Sequence, residues 1–181
     1  MPTNMKILFV CTGNICRSPV AERLLEHYNL ELGLGLEVSS AGTRALNGHP
    51  MHSESQRVLR EAGVESVGFK SQMLTPSLAT DCDLLLGMTR EHRAFARQLA
   101  PARWKRMYAL REIALADEIN MQSSRRAVDP TNPSIDIRDP IGGSPAVFDE
   151  VAKEISISIH SLVGWIKKQT AQTTGRHHAA Q

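Results

Sequence analysis

The chain has 181 residues, 41% of them hydrophobic and 22% charged, with a formal net charge of +2. That length suits one domain with a proper core, and the near-balanced charge gives no reason to propose a nucleic-acid or membrane partner. Three cysteines, Cys11, Cys16 and Cys82, form no disulfide framework and point to a reducing, cytoplasmic setting; the apolar run before Cys11 is too short for a secretion signal or a bilayer span.

In chain order, Lys6–Val10 (KILFV) is a continuous apolar run, the pattern of a strand buried on both faces of a parallel sheet. Ser18 or Pro19 then opens a helix. Val20, Ala21, Leu24 and Leu25 fall at helical spacing, with Tyr28 one turn further, and Gly33 and Gly35 end it. Leu36–Ala41 (LEVSSA) reads as a second strand, Thr43–Met51 as a loop and His52–Ala62 as a helix stopped by Gly63. Thr75 caps a short helix with Pro76 in its first position. Asp83–Met88 (DLLLGM) is a third buried strand, Thr89 caps a helix to about Leu99, and Arg106–Leu110 (RMYAL) is a weaker fourth strand.

From Glu112 the pattern begins helical, but Ser123–Ser134 mixes Arg, Asp, Pro, Thr and Asn as loops do. Asp139-Pro140 and Gly142-Gly143 are turn signals. Ser144 caps a last helix with Pro145 first, and Val147, Val151, Ile155, Ile159, Leu162, Val163 and Ile166 form its apolar stripe. Gln169–Gln181 is a polar tail expected to fray, whose His177-His178 pair reads as tail rather than as a metal site. Strands alternating with helices imply an α/β domain with a parallel sheet, and such sheets bind ligands beyond the carboxyl ends of their strands. Cys11 sits at that edge.

The segment Cys11-Thr-Gly-Asn-Ile-Cys-Arg17 joins the first strand to the first helix. Its backbone can curl so that N–H groups point into one concavity, and the helix N-terminus adds donors and partial positive charge. Gly13 is expected to supply positive φ, and Asn14 tolerates it. This describes a phosphate cradle without the ending of a Walker loop. Arg17 offers a planar fork for two oxygens of a tetrahedral oxyanion. A free thiol, with a pKa near ~8.5, is mostly protonated at neutral pH, and the same field favours a Cys11 thiolate. Cys11 is then a candidate nucleophile, and Ser18 a hydrogen-bond partner for its sulfur. Singly, a strand-end cysteine is usually a small buried residue and a helix-start arginine faces water; the combination in this context carries the reading.

The stretch "VCTGNICRSPVAERLL" resembles the phosphate-binding loop of the low-molecular-weight protein tyrosine phosphatase family. "VSSAGT" (Val38–Thr43) resembles its second strand, "LLLGMTREHR" (Leu84–Arg93) its third strand and following helix, and "DIRDPIGG…VF" its Asp-Pro loop. The likeness covers about Lys6–Lys168. It implies a single doubly wound domain over 1–168, with about four parallel strands in order 2-1-3-4 and helices on both faces, followed by the tail 169–181. It implies Cys11 as nucleophile, Arg17 as phosphate clamp and Asp139 as general acid, with Thr12, Gly13, Asn14, Ile15, Cys16 and Ser18 around the phosphate. Asn14, Ser18 and Ser40 would brace the loop. Of the two Asp-Pro pairs, Asp139-Pro140 is preferred to Asp129-Pro130, because a short loop anchored on a helix positions a carboxyl more reproducibly. No metal or cofactor is implied.

The pocket wall is expected to be less aromatic than in the family. Ile141 and Gly142 follow the Asp-Pro pair, Ala45, Leu46 and Asn47 stand near the rim, and Phe69 replaces a common histidine. The expected activity is hydrolysis of phosphotyrosine, in proteins or aryl phosphates, through a cysteinyl-phosphate. A protein arginine phosphatase, which tends to carry Thr at the position of Ile15, and a small-metabolite phosphatase are the alternatives. A thiol-dependent arsenate reductase, which needs two further cysteines where only Cys82 stands, and a non-catalytic phosphate-binding module are weaker ones. The partner is thus a phosphoprotein or small phosphate ester, with a weak homo-oligomer left open. Cys16 is either filler or, as in the family, a partner for a reversible disulfide with Cys11.

Overall fold

The computed structural model describes residues 4–121 and 129–178; the side chains of 117–121 and 170–178, with those of His177 and His178, lie outside that description. Strands β1 (Met5–Cys11), β2 (Leu36–Gly42), β3 (Leu84–Gly87) and β4 (Met107–Ala109) form one parallel sheet in the order β2-β1-β3-β4. The helices are α1 (Arg17–Leu32), α2 (Ser53–Glu61), α3 (Pro76–Asp81), α4 (Arg90–Leu99), α5 (Leu110–Met121) and α6 (Pro145–His178).

β1 explains the architecture. Ile7, Leu8, Phe9 and Val10 are each at most 1% exposed, so both faces of the strand need cover. Ile7 and Phe9 pack with Leu84 and Leu86 against α1, α5 and α6, through residues such as Leu25, Leu110 and Ile159. Leu8 and Val10 pack with Leu85 and Met107 against α3 and α4, through Ala79 and Ala96. Each large side chain buried in this way contributes roughly 1.5–3 kcal/mol. The doubly wound α/β sheet expected from the sequence is therefore present, in the expected strand order.

The caps hold as well. Gly33 closes α1 at φ 60, Thr75 accepts from Leu78 N–H, and Thr89 accepts from His92 N–H. α1 begins at Arg17, ahead of Ser18, with Cys16 as its N-cap residue. β4 is only three residues long because α5 starts at once at Leu110. A 3-10 turn over Pro101–Arg106, which has no apolar periodicity to announce it, precedes β4. Of the loop-like stretch Ser123–Ser134, residues 122–128 lie outside the described ones, and Pro133–Ile135 is a 3-10 turn. In α6 the buried stripe opens with Phe148, which stacks on His52 at 4.8 Å, rather than with Val147. The helix continues past Gln169, where fraying was expected, to His178. Among the described residues no helix is long and apolar enough to cross a membrane.

Candidate active site

β1 has β2 on one side and β3 on the other, so its C-terminal end opens at the switch point of the sheet, and it delivers Cys11 there. The chain then turns through residues 12–16 into α1. The left-handed residue in this turn is Asn14, at φ 54. Gly13, expected to supply positive φ, does not. Asn14 tolerates the conformation because it is fully buried and its side chain is held at both ends. Its Nδ2 donates to Ser18 Oγ (2.9 Å) and Ser40 Oγ (2.8 Å), while its Oδ1 accepts from Gln72 N–H (2.8 Å).

The glycine that the loop does require is Gly42, paired with Cys11 across the sheet. A Cβ there would fall 2.5 Å from Thr12 O and 2.9 Å from Asn14 N.

Two donors converge on the sulfur. Asn14 N–H points at Cys11 Sγ from 3.3 Å, and Ser18 Oγ lies 3.0 Å away. Ser18 Oγ accepts from Asn14 Nδ2, and its own proton has two acceptors in reach, Cys11 Sγ at 3.0 Å and Ala41 O at 3.5 Å, of which the sulfur is the nearer. Behind Ser40 sits Glu22, whose Oε2 accepts the Ser40 hydroxyl proton. Burial pushes the Glu22 carboxyl up to about 7, against the opposing pull of that hydrogen bond.

Arg17 is 3% exposed. Its Nη1 donates to Ile137 O (2.9 Å) and its Nη2 to Asp139 Oδ2 (2.7 Å). Its Nε is buried and, among the described residues, without an acceptor. Asp139 remains half-exposed, and its Oδ1 accepts Ile141 N–H at 3.1 Å, a local turn that orients the carboxyl. Asp129 lies apart from Arg17. Its carboxylate takes hydrogen bonds from Thr131 Oγ1 (2.7 Å) and N–H (2.9 Å), which hold it below the usual range. The structure thus joins Asp139, and not Asp129, to the arginine of the loop.

Cys16 is buried, and desolvation, then the charges of Cys11 and Asp139, pushes its thiol up to about 12. Its carbonyl accepts from Ser55 Oγ (3.2 Å), and Ile15 O accepts from His52 N–H (2.9 Å), so α2 supports this side of the loop. On the other side, Thr12 Oγ1 lies 2.9 Å from His92 Nε2. Around the rim, Leu46 and Ile141 are exposed, and Phe69 is buried with the Arg23 guanidinium 5.8 Å from its ring centre. The open cleft between α4 and Pro130–Thr131 is a different place, and both of its arginines are already paired, Arg90 with Asp136 and Arg93 with Glu112.

Sequence reasoning missed Glu22, Gly42, Gln72 and His92. Glu22 had a signal: it stands one turn from Ser18 in the buried stripe of α1, where a carboxyl needs a partner. Gln72 had none, since its contact with Asn14 is through the backbone.

Residues 6–172 match the family described as low molecular weight phosphotyrosine protein phosphatase, and the chain belongs to that family. Low molecular weight protein-tyrosine phosphatase A of Mycobacterium tuberculosis (strain ATCC 25618 / H37Rv) is 32% identical over 179 residues, 95% of this chain and 98% of that protein. A protein-arginine-phosphatase of Geobacillus stearothermophilus is also 32% identical, over 92% of this chain and 98% of its own. The low molecular weight protein-tyrosine-phosphatase Etp of Escherichia coli (strain K12) is 42% identical over 95 residues, 52% of this chain, and the match spans only 62% of that protein's length. Among solved structures, the YwlE arginine phosphatase from Geobacillus stearothermophilus superposes with a TM-score of 0.76 at 28% identity, covering 93% of this chain and 96% of that one. A low molecular weight protein tyrosine phosphatase from T. tengcongensis gives 0.75 at 29%, covering 88% and 98%.

Proposed function

We propose that the chain is a cysteine-dependent phosphomonoesterase acting on phosphotyrosine, with Cys11 as nucleophile, Arg17 as phosphate clamp and Asp139 as general acid and base. The observation that carries this reading is the junction at Arg17: a buried guanidinium with an unpartnered Nε, tied to the Asp139 carboxyl, in the loop whose N–H and hydroxyl donors meet at Cys11 Sγ. A buried donor without a partner is costly, and a phosphoryl oxygen satisfies it.

Cys11 Sγ attacks phosphorus in line while loop N–H groups and Arg17 stabilise the equatorial oxygens. The incoming anion displaces Asp139 from Arg17 Nη2, and the freed, half-exposed carboxylate takes up a proton from solvent and gives it to the leaving oxygen. Ser18 O–H donates to Sγ as the cysteinyl-phosphate breaks down, and Asp139 takes the proton of the attacking water. Cys16, kept as a thiol by burial, is the partner for a reversible disulfide with Cys11 under oxidation.

Half-buried, apolar Ile15 in the loop supports an aromatic leaving group. The equal identity to tyrosine and arginine phosphatases keeps phosphoarginine as the second reading. Comparing hydrolysis of a phosphotyrosine peptide with that of a phosphoarginine peptide decides between them. For the chemistry, Cys11→Ser is expected to abolish turnover of p-nitrophenyl phosphate with the fold kept, and retained turnover would falsify the proposal. Asp139→Asn should lower kcat by roughly 10²–10⁴-fold and Asp129→Asn by little; the reverse order reassigns the acid.

A further inference from the structure

His92 is a buried imidazole, 4% exposed, that the reaction described above leaves unused. It sits in the first turn of α4, which approaches β3 closely because Gly87 has no side chain. A Cβ at Gly87 would lie 2.9 Å from His92 Cβ and 2.9 Å from Arg93 N. Both ring nitrogens face hydroxyls: Nδ1 lies 2.9 Å from Thr89 Oγ1 and Nε2 lies 2.9 Å from Thr12 Oγ1.

Two tautomers of His92 fit these contacts, and the direction of each contact follows from which ring nitrogen carries the proton. A neutral imidazole carries one donor and one acceptor, and a hydroxyl carries one proton. In one of the two tautomers Thr89 Oγ1, which accepts the backbone N–H of His92 at 3.3 Å, gives its own proton to Nδ1. The ring proton is then on Nε2 and is donated to Thr12 Oγ1. Thr12 keeps its own hydroxyl proton, for which no acceptor is present among the described residues. Burial, then the positive charge of Arg17, pushes the His92 pKa down to about 4, so the imidazole stays neutral around pH 7. That influence of Arg17, together with those of Asp139 and Asp136, also sets His92 within electrostatic range of the clamp and the acid.

We infer that His92 is a positioning residue: its Nε2–H holds Thr12 Oγ1, so that the Thr12 hydroxyl donates its spare proton to an oxygen of the phosphoryl group bound in the Cys11–Arg17 loop. This rests on the phosphatase reading and adds to it a side-chain donor and the residue that aims it.

The test uses the full chain, p-nitrophenyl phosphate as substrate and inorganic phosphate as competitive inhibitor. Thr12→Val and His92→Phe are each expected to lower kcat/KM and weaken phosphate inhibition about tenfold, the effect of one lost hydrogen bond. Thr12→Ser, which keeps the hydroxyl, should recover most of the loss seen in Thr12→Val. His92→Gln, whose amide nitrogen reaches the place of Nε2, should recover most of the loss. The double variant Thr12→Val/His92→Phe should be no worse than Thr12→Val alone, because His92 acts through Thr12. Additive losses, or wild-type phosphate inhibition in Thr12→Val, overturn the assignment; the second result is decisive even if His92→Phe fails to fold. With Cys11→Ser inactive and Thr12→Val unchanged, the roles given to Thr12 and His92 fall and the phosphatase reading stands. An active Cys11→Ser removes the phosphatase reading itself, and the assignment with it.

Discussion

Glu22 places a carboxyl in the core of the loop's support, and its environment sets a dependence of stability on pH. The group moves from an ordinary 4.5 to about 7, chiefly because burial penalises the charged form. A carboxyl with a raised folded-state value binds its proton more tightly in the native protein than in the unfolded chain. Its contribution is therefore complete below about pH 4.5 and is lost as pH rises through about 7. Glu22→Gln keeps the shape and an acceptor for Ser40 but has no charge to bury. The variant is expected to gain on the wild type between pH 5 and pH 8, by on the order of 3 kcal/mol. Urea denaturation of both proteins at intervals across that range measures it; parallel stability curves would show that Glu22 is not the titrating group.

Between elements, the end of β2 shapes the nucleophile loop by what Gly42 lacks. An added Cβ would strike the backbone of Thr12 and Asn14 and the Cβ of Ala45, none of which is the free end of a flexible side chain that could move aside. Gly42→Ala is expected to shift the loop and lower kcat/KM on aryl phosphates roughly ten- to a hundredfold, the scale of an ångström of misplacement. Circular dichroism should report the same fold, and unchanged kinetics would mean that the loop yields more easily than the geometry implies. Gly42 also marks where sequence legibility ends. Cys11, Arg17 and the strand before them were readable because a continuous apolar run, a capped helix and the residues between them are local patterns. Thr75, Thr89 and Pro145 were readable for the same reason. The closeness of Gly42 to Thr12, the backbone bond from Gln72 to Asn14 and the truncation of β4 by α5 are products of packing and leave no periodic trace. Gly13 misled because glycine is the default for positive φ, whereas here tertiary bonds hold Asn14 in that conformation.

Across the whole molecule, Cys11 and Asp139, the proposed nucleophile and acid, lie 128 positions apart in the chain, and the first turn of α4 ties their segments together. Arg90 donates its backbone N–H to Asp136 Oδ1 (2.7 Å) and its guanidinium to both oxygens of that carboxylate. Ile137 N–H continues the connection to Met88 O (2.9 Å), and Ile137 O accepts from Arg17. The segment that carries Asp139 is thus anchored on β3 and α4 before it reaches α1. Removing the Arg90 side chain leaves the sulfur, its donors and Arg17 in place but loosens the approach of the acid. Arg90→Ala should therefore lower kcat more for phenyl phosphate, whose leaving group needs the proton, than for p-nitrophenyl phosphate, which leaves readily as an anion. A drop of about tenfold for the first and two- to threefold for the second is the expected order, since acid catalysis as a whole contributes about 10²–10⁴-fold. Equal losses on the two substrates would place the damage at the phosphate cradle instead of the acid, and would break the proposed connection from α4 to Asp139.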